Sequence, residues 1–290
     1  MLQFESKIIL NEKLKGNSWH MVIETSQISL KAKPGQFIMV RITENNDPLF
    51  RRPFSIFKQF KIGQNSWGLE IVYKIVGRGT KLMSKLRSGD KLDIIGPLGH
   101  GFEWDKDKKT HILIGGGTGI VSLFMLGEEI SKESKKSDIN LNIFIGANNK
   151  DSVILEEEFN KLNARVGVST DDGSYGYHGL VTDMLVDTFE KGEISTNCTI
   201  YGSGPEPMLK KLAHICKKYN IEGQVSIERH MMCGFGACLS CVCKIDPLRI
   251  SKKRDLNSSY IHIVPGNNFG YALVCKDGPV FNIEEVIFDD

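Results

Sequence analysis

Apolar and polar residues alternate along the first third of this 290-residue chain in a pattern that is typical of antiparallel strands. Segments 20–25, 36–42 and 69–76 are rich in β-branched and aromatic residues, and turn-forming glycine, proline and asparagine residues separate them. Several short strands at this spacing predict a small antiparallel barrel or sandwich. We expect one or two helical turns over residues 79–86 to cap it.

The pattern changes at residue 111 to a repeat of strand, glycine turn and helix. Short apolar runs at 141–147 and 198–204 predict buried strands, and apolar residues recur with helical spacing over 208–219. Alternating strands and helices predict a parallel sheet covered by helices. The charged stretch 103–110 is interpreted as the linker between the two patterns.

The chain is therefore expected to be a multi-domain β plus α/β protein. The predicted domains are an antiparallel β-barrel over 1–102, a parallel-sheet α/β domain over 103–223 and a small cysteine-rich domain over 224–290. A length of 290 residues and a hydrophobic share of 41% are sufficient for more than one core.

Charge and hydropathy exclude some classes of function. Lysine and arginine total 37 against 35 acidic residues, and no long run carries a single sign, so nucleic-acid binding is not expected. No apolar run approaches the roughly 18 residues that cross a membrane. The amino-terminal segment shows no signal peptide. We expect a soluble, cytoplasmic protein.

One glycine turn stands where a predicted strand passes into a helix: Gly115, Gly116, Gly117, Thr118 and Gly119. Free amides at a helix amino terminus favour phosphate, and glycine allows the backbone to approach it closely. The spacing differs from G-x-G-x-x-G, so a tight structural turn is a serious alternative. A second turn at Gly204-Pro205 follows a later strand, and two turns at one sheet edge favour a nucleotide site.

Four cysteines fall within eleven positions, 233–243, in a chain with seven in all. Cys233, Cys238 and Cys241 have the spacing C-x4-C-x2-C of plant-type [2Fe–2S] centres. A structural zinc site is a weaker alternative, because only one C-x2-C pair is present. A disulfide is disfavoured in a reducing compartment, and packing alone is weaker still.

The fourth thiolate has two candidates, Cys243 and Cys275. Cys243 lies next to a ligand already used, whereas Cys275 returns from a separate segment, so we favour Cys275. Cys198 and Cys216 lie in an apolar strand and an apolar helix and are expected to be packed thiols.

The stretch "RRPFSIF" at 51–57 carries an arginine beside a proline and a serine, a combination that suits a phosphate or diphosphate. From chemistry alone, an ordinary edge strand with a solvated arginine pair is the favoured interpretation. Tyr73 and Thr80 are likewise open to ordinary interpretations, as a core aromatic and a helix cap.

Taken together, these segments resemble the ferredoxin-reductase superfamily, and more specifically the electron-transfer subunits of bacterial NAD-linked dihydroorotate dehydrogenase. The resemblance covers nearly the whole chain. It rests on "RRPFSI", "IVYKIVGRGT", "GPLGHGF", "IGGGTGI", "DDGSYGYHGLVTD", "GPEPML", "ERHMMCGFGACLSCVCK" and "VCKDGPVF", of which the two cysteine-containing motifs at 228–244 and 274–281 are the most specific.

The resemblance implies three cofactors, namely FAD, a [2Fe–2S] cluster and NAD. It assigns FAD to the barrel, NAD to the α/β domain and the cluster to the carboxyl-terminal domain. The residues it implies for FAD are Arg52, Pro53, Phe54, Ser55, Ile71, Val72, Tyr73, Gly79 and Thr80. Cys233, Cys238, Cys241 and Cys275 match the cluster ligands, and the turns Gly115–Gly119 and Gly204-Pro205 are expected to face NAD.

The family's activity is also an implication of the resemblance. A separate FMN-containing dihydroorotate dehydrogenase catalytic subunit is the expected partner, in a hetero-oligomer of two plus two subunits. Electrons are expected to pass from that FMN through the cluster and FAD to NAD in pyrimidine biosynthesis. A related reductase subunit that serves ferredoxin or sulfur compounds is the alternative.

Two features depart from the family pattern. The segment 246–268 is expected to be an insertion that covers the cluster or alters the partner-facing surface, and Ser203 stands where relatives commonly carry cysteine near the nicotinamide. NAD is favoured over NADP because no arginine after 141–150 is placed to bind a 2′-phosphate, although no clear acidic ribose ligand is visible there either.

Overall fold

A computed structural model describes residues 2–25, 32–43, 47–63, 66–250 and 260–289. Among these residues, strands form two seven-stranded sheets and one three-stranded sheet. The predicted fold class is confirmed: an antiparallel barrel sheet, a parallel nucleotide-binding sheet and a cysteine-rich carboxyl-terminal unit follow one another.

The first sheet is antiparallel in every pairing, as the alternating pattern predicts. Its strands are β1 (Leu2–Lys15), β2 (Ser18–Thr25), β3 (Phe37–Arg41), β4 (Arg52–Ser55), β5 (Lys58–Lys61), β6 (Trp67–Lys74) and β7 (Lys91–Leu98). The order across the sheet is β4-β3-β7-β1-β2-β6-β5. The short helix α1 (Arg78–Met83) lies within the expected segment 79–86.

Alternation places every second side chain of these strands in the barrel interior. In β7 the buried positions alternate with exposed or half-buried ones, and Leu92 and Ile94 join Ile8, Ile38 and Ile71 in one core. Since a one-residue slip would turn these side chains outward, the apolar pattern also fixes the register.

The second sheet has the order β11-β10-β9-β8-β12-β13-β17 and is parallel except for its last strand. Its strands are β8 (Thr110–Gly116), β9 (Asn140–Ala147), β10 (Arg165–Thr170), β11 (Tyr177–His178), β12 (Thr199–Ser203), β13 (Glu222–Ser226) and β17 (Val280–Asn282). The helices are α2 (Phe124–Ser134), α3 (Glu156–Asn160), α4 (Val181–Glu190) and α5 (Glu206–Tyr219).

Strand β17 comes from the carboxyl-terminal segment and pairs antiparallel with β13. The boundary predicted after residue 223 falls inside β13. The chain thus returns to the nucleotide sheet after forming the cysteine-rich unit, and the two units share a sheet edge. The predicted domain limits remain predictions, and their last division does not coincide with an end of a strand.

The glycine turn also differs in detail from the expected strand, turn and helix. Strand β8 runs through Gly116, and a 3₁₀ segment, Gly117–Leu123, precedes the α-helix α2. A Cβ on Gly115 would lie 2.6 Å from Ile120 Cα, so the chain doubles back tightly at this position. The amide groups that follow β8 therefore belong to a 3₁₀ helix, which is wound more tightly than an α-helix.

The cysteine-rich unit contains strands β14 (Val242–Ile245), β15 (His262–Ile263) and β16 (Gly270–Leu273), in the order β14-β16-β15. Its buried residues share one core with the barrel residues Phe37, Met39 and Leu98. The unit therefore packs on the barrel as well as on the nucleotide sheet.

The expected insertion, 246–268, belongs to this unit at its two described ends, 246–250 and 260–268. Its middle, 251–259, lies outside the described residues. Tyr260 lies beside Gly236, and its N–H donates to Asp277 Oδ1 at 2.9 Å. The buried Asp277 carboxylate also accepts the N–H of Leu273 at 2.7 Å. The described end of the insertion therefore lies over the cysteine loop. In the part of the chain described here, no helix is long and apolar enough to cross a membrane.

Candidate cofactor sites

The cysteine loop runs over residues 233–241, between the nucleotide sheet and β14. Gly234 and Gly236 have φ values of +83° and +94°, in the region that favours glycine. Both glycines are buried, whereas Cys238 is exposed. The loop thus curls back on itself, and its small residues allow the backbone to come close to whatever the thiols hold.

The four predicted ligands meet as two interacting pairs. Cys275 N–H points at Cys241 Sγ at 3.4 Å, and Val274 N–H donates to the Cys241 carbonyl at 2.9 Å. The thiols of Cys241 and Cys275 share a hydrogen bond, which lowers the pKa of Cys241 and raises that of Cys275. Cys238 contacts Cys233 in the same way, and a hydrogen bond with the Ser240 hydroxyl contributes most to lowering the pKa of Cys238 to about 6.

The other thiols have different surroundings. Cys243 is buried on β14 opposite Ala272, on the core-facing side of the strand. Burial raises the pKa of Cys198 and of Cys216 to about 12, as expected of packed thiols. The contact of Cys275 with Cys241 supports Cys275 rather than Cys243 as the fourth ligand, which remains a prediction.

The donor set fits a [2Fe–2S] cluster. Four thiolates would hold such a cluster, two for each of its irons. Two thiol pairs, Cys233 with Cys238 and Cys241 with Cys275, match that requirement. Within the described ranges, no three or more His, Cys, Asp or Glu side chains gather around a single ion, so the thiols are placed in pairs rather than as one metal-ion site.

A cleft of about 520 Å³ lies at the carboxyl edge of the parallel sheet, where parallel α/β folds bind their ligands. The nucleotide sheet, its helices and the barrel all line it. The lining residues are Lys15, Asn17, Ser18, Lys74, Gly116, Gly117, Thr118, Gly119, Gly146, Ala147, Asn148, Asp151, Ser152, Ile154, Asp171, Leu180, Val181, Thr182, Gly204, Pro205, Pro207, Met208, Lys211 and Glu228.

Both predicted turns face this cleft and touch one another. A Cβ on Gly119 would lie 2.6 Å from Ser203 O, and one on Gly116 would lie 2.9 Å from Pro205 Cδ. Glycine is therefore required for the packing of the two turns as well as for access to the backbone. Of the predicted residues in the first turn only Gly115 does not line the cleft. Ser203 is buried behind it.

The cleft also contains charged residues that sequence reasoning missed. Asp151 follows β9 and Asp171 follows β10, so both stand at the sheet edge beside the first glycine turn. An acidic side chain at this edge is the usual partner of the adenosine ribose of NAD. The position of Asp171 directly after a strand was the available signal, but that strand, β10, was not recognised in the sequence. Asp151 lies in the loop after β9 and carries no such signal.

The predicted flavin residues Arg52 to Ser55 form β4, at the edge of the barrel sheet. The Arg52 guanidinium packs over Gly79, where a Cβ would lie 2.9 Å from Nε. Arg52 and Gly79, 27 positions apart in the sequence, are thus neighbours at one corner of the barrel. That proximity supports a shared role in holding a diphosphate.

The other residues predicted to bind flavin use their side chains mainly for packing and for turn geometry. Ile71 and Tyr73 point into the barrel core, and Tyr73 Oη donates to Asn11 Oδ1 at 2.9 Å. Val72 packs instead in the core between the barrel and the nucleotide sheet. The Thr80 hydroxyl accepts the N–H groups of Val76 at 3.0 Å and Gly77 at 3.3 Å, so it fixes the turn before α1.

The cysteine loop and the flavin strand are separated by a single strand. A Cβ on Gly234 would lie 2.3 Å from Met39 Cγ, and Met39 pairs directly with Pro53 across β3 and β4. Arg229, just before the loop, forms two hydrogen bonds with the Glu206 carboxylate at 2.8 and 3.1 Å. These contacts connect the loop to the barrel and to α5.

Barrel, nucleotide cleft and cysteine unit together define a flavin- and iron–sulfur-dependent NAD oxidoreductase. Models of known families match all three parts: an oxidoreductase FAD-binding domain over 5–104, an oxidoreductase NAD-binding domain over 113–214, and the iron-sulfur cluster binding domain of dihydroorotate dehydrogenase B over 228–253. The chain belongs to the family of electron transfer subunits of NAD(+)-dependent dihydroorotate dehydrogenase B.

Two relatives illustrate the match. The electron transfer subunit of dihydroorotate dehydrogenase B (NAD(+)) from Fusobacterium nucleatum is 35% identical, with 95% of each chain covered. The corresponding subunit from Caldanaerobacter subterraneus is 34% identical over 99% of each chain. The predicted family, its oxidoreductase class and its three cofactors are thereby confirmed.

Solved structures agree on the architecture. The structure of an NADH-dependent reduced ferredoxin-NADP oxidoreductase has a TM-score of 0.76 and 27% identity, with 98% of this chain and 90% of that chain covered. A ferredoxin reductase of carbazole 1,9a-dioxygenase has a TM-score of 0.63 at 17% identity, with 76% of this chain and 66% of that chain covered, which shows the shared fold.

Proposed function

We propose that this chain relays electrons from the FMN of a dihydroorotate dehydrogenase catalytic subunit to NAD in pyrimidine biosynthesis, in the cytoplasm. A flavin exchanges two electrons with NAD as a hydride and single electrons with an iron–sulfur centre, and this is the chemistry that FAD and the [2Fe–2S] cluster supply when bound. The residues of the chain hold these groups at fixed separations and bind NAD.

One observation carries the proposal: Gly234 of the cysteine loop packs on Met39, which is the strand partner of Pro53. Met39 is fully buried, so this path from the thiols to the flavin strand is filled by protein rather than by water. The contact is a close one because Gly234 has no side chain. It supports transfer between the two cofactor sites within one subunit.

The cleft at the carboxyl edge of the parallel sheet supports the NAD-binding part of the proposal. The glycine turns at Gly117–Gly119 and Gly204 present backbone to a ligand at the carboxyl edge of the sheet. We propose that they bind the dinucleotide and that Asp171 binds the adenosine ribose, which favours NAD over NADP because a carboxylate repels a 2′-phosphate.

The partner is assigned to the face that carries the cysteine loop. Met232, Phe235, Leu239 and Val242 expose 45%, 39%, 59% and 41% of their surface around the thiols. Apolar side chains exposed together are a common mark of protein interfaces. We propose that the catalytic subunit covers this face, in an assembly of two plus two subunits.

The test uses the complex reconstituted with the FMN subunit. Cys233→Ser removes a predicted ligand, so it should abolish dihydroorotate-dependent NAD reduction while NADH still reduces FAD directly. Cys275→Ser and Cys243→Ser form a matched pair for the ligand assignment, and only Cys275→Ser should lose bound iron and sulfide. Normal coupling in the Cys233→Ser complex would refute the relay.

A second function has a specific observation in its favour, since the ferredoxin-NADP oxidoreductase structure aligns with 98% of this chain at 27% identity. On that alternative the chain exchanges electrons with ferredoxin. Loaded protein mixed with NADH and either ferredoxin or the FMN subunit distinguishes the two, and we expect rapid transfer only with the FMN subunit.

A further inference from the structure

We propose that the β1–β2 turn of the flavin barrel is part of the NAD site, and that Lys15 binds the dinucleotide phosphates on its adenosine side. This inference rests on the proposed assignment of the cleft to NAD. It adds a binding residue from outside the nucleotide-binding unit.

The turn reaches the nucleotide sheet directly. Lys15 and Ser18 close the hairpin, and Gly16 between them has a φ of +53°. A Cβ on Gly16 would lie 3.0 Å from the carbonyl oxygen of Asp151. The barrel turn and the loop after β9 therefore touch, and they enclose the cleft from two sides.

The sheet order indicates which half of NAD lies under the turn. Strand β8, with its glycine turn, stands between β9 and β12. Asp151 and Asp171 follow β9 and β10, whereas Gly204 follows β12 on the side that leads to β13 and the cysteine unit. With phosphates at the central glycine turn, the ribose-binding acids place adenosine on the β9 side. Lys15 stands on that same side.

The charges in the cleft favour a phosphate ligand for Lys15. Three lysines line the cleft, and Lys211 forms an ion pair with Asp183. Neither Lys15 nor Lys74 has an ion-pair partner among the described residues. The cations that remain for an anionic ligand thus come from the barrel wall, opposite the backbone amides of Gly117–Gly119. A charge-assisted hydrogen bond to phosphate is one of the stronger polar contacts available to a lysine.

A two-sided site has a functional consequence. NAD would contact both the barrel and the nucleotide sheet on its adenosine side, away from the nicotinamide. Lys15 therefore contributes to ground-state binding, which raises affinity for NADH and leaves hydride transfer unchanged.

The experiment measures NADH-dependent ferricyanide reduction by the flavin-loaded protein, with Lys15→Gln, Lys15→Arg and Lys13→Gln. Lys13 is exposed on the same strand but does not line the cleft, so it is the matched control. We expect Lys15→Gln to raise KM for NADH and the inhibition constant of ADP-ribose about tenfold, with kcat unchanged. Lys15→Arg should restore most of the affinity, and added salt should weaken binding less in Lys15→Gln than in wild type.

Equal KM and ADP-ribose values for Lys15→Gln and Lys13→Gln would overturn the inference. A fall in kcat with unchanged KM would overturn it as well, because a binding residue does not act in that way. If NADH fails to reduce the flavin of the wild-type protein, the proposed function fails instead, so the two failures are distinguishable.

Discussion

The guanidinium group of Arg52 lies over the α-carbon of Gly79, at the corner where β4 meets the turn into α1. A methyl group on Gly79 would lie 2.9 Å from Arg52 Nε and 3.3 Å from Nη2. The arginine therefore occupies the place that a side chain at residue 79 would take. An arginine held over a helix-starting turn is well suited to a diphosphate.

Replacing Gly79 with alanine should weaken FAD binding about tenfold, because the new methyl group displaces the Arg52 side chain. Alanine is a better helix former than glycine, so a loss of FAD cannot be attributed to helix propensity. The measurement is the dissociation constant of FAD from its fluorescence on release. Gly77→Ala is the control, since no atom lies within 4 Å of the added methyl group. Equal FAD affinities in the two variants would contradict the role given to this contact.

Replacing Asp171 with asparagine should reduce the preference for NADH over NADPH. The carboxylate accepts a ribose hydroxyl strongly and repels a 2′-phosphate, so its neutralisation acts on both substrates. We expect the ratio of the two kcat/KM values to fall about tenfold. Asp172→Asn is the control, because Asp172 is exposed, accepts the Ser174 N–H at 2.9 Å and does not line the cleft. An unchanged ratio in Asp171→Asn would place the ribose elsewhere.

His111 should make the stability of the chain depend on pH below neutrality. Its ring is fully buried, Nε2–H donates to the Lys108 carbonyl at 2.9 Å, and Nδ1 has no partner among the described residues. Burial lowers the pKa of His111, so the folded chain binds its proton less readily than the unfolded chain. Stability is then fully present above the unfolded value of about 6.5 and falls as pH drops through it.

The expected loss is about 1.4 kcal/mol for each unit by which the pKa is depressed. Thermal unfolding followed between pH 7 and 5 should show a smaller decline for His111→Gln than for wild type. His214 is exposed, and His214→Gln should leave the decline unchanged. A decline of equal size in His111→Gln would assign the pH dependence to other groups.

Replacing Gly234 with alanine should slow electron transfer between the cysteine loop and the flavin. The added methyl group would lie 2.3 Å from Met39 Cγ, so the loop must move away from the barrel. Gly266→Ala is a matched control, because Gly266 also has a positive φ, +77°, but no atom lies within 4 Å of its added methyl group. The rate of iron–sulfur reduction after flavin reduction, measured by rapid mixing, should fall at least several-fold only in Gly234→Ala.

Local patterns were sufficient to predict the fold class. Burial on one or two faces produces the alternation in β2, β3 and β6 and the strand–helix repeat from β8 onward. Each of these patterns is contained within its own segment of the sequence. The return of β17 to β13 could not be predicted, because a three-residue strand has no pattern of its own and gains its place only from its neighbour. The 3₁₀ segment Gly117–Leu123 depends similarly on packing against another turn.

Some residues of the candidate sites could likewise be predicted from local sequence, whereas others are brought together only by tertiary packing. The spacing of Cys233, Cys238 and Cys241 is local and could be recognised in the sequence. Cys275 was favoured over Cys243 because it lies in a separate segment, and the family resemblance implies the same ligand. Gly16 and Asp151 meet only because the barrel and the nucleotide sheet are packed together, and nothing near either residue in the sequence indicates that contact. The roles of Ile71 and Tyr73 are also set by the tertiary structure, since both side chains lie in the barrel core.

The central claim is that one chain passes electrons between NAD and its iron–sulfur centre by way of FAD. The most direct test is anaerobic mixing of the fully loaded protein with NADH, with flavin absorbance and the iron–sulfur electron paramagnetic resonance signal followed in time. We expect the flavin to be reduced first and the reduced iron–sulfur signal to follow at a rate that Gly234→Ala lowers. Complete flavin reduction with no iron–sulfur signal, in protein that contains two irons for each FAD, would contradict it.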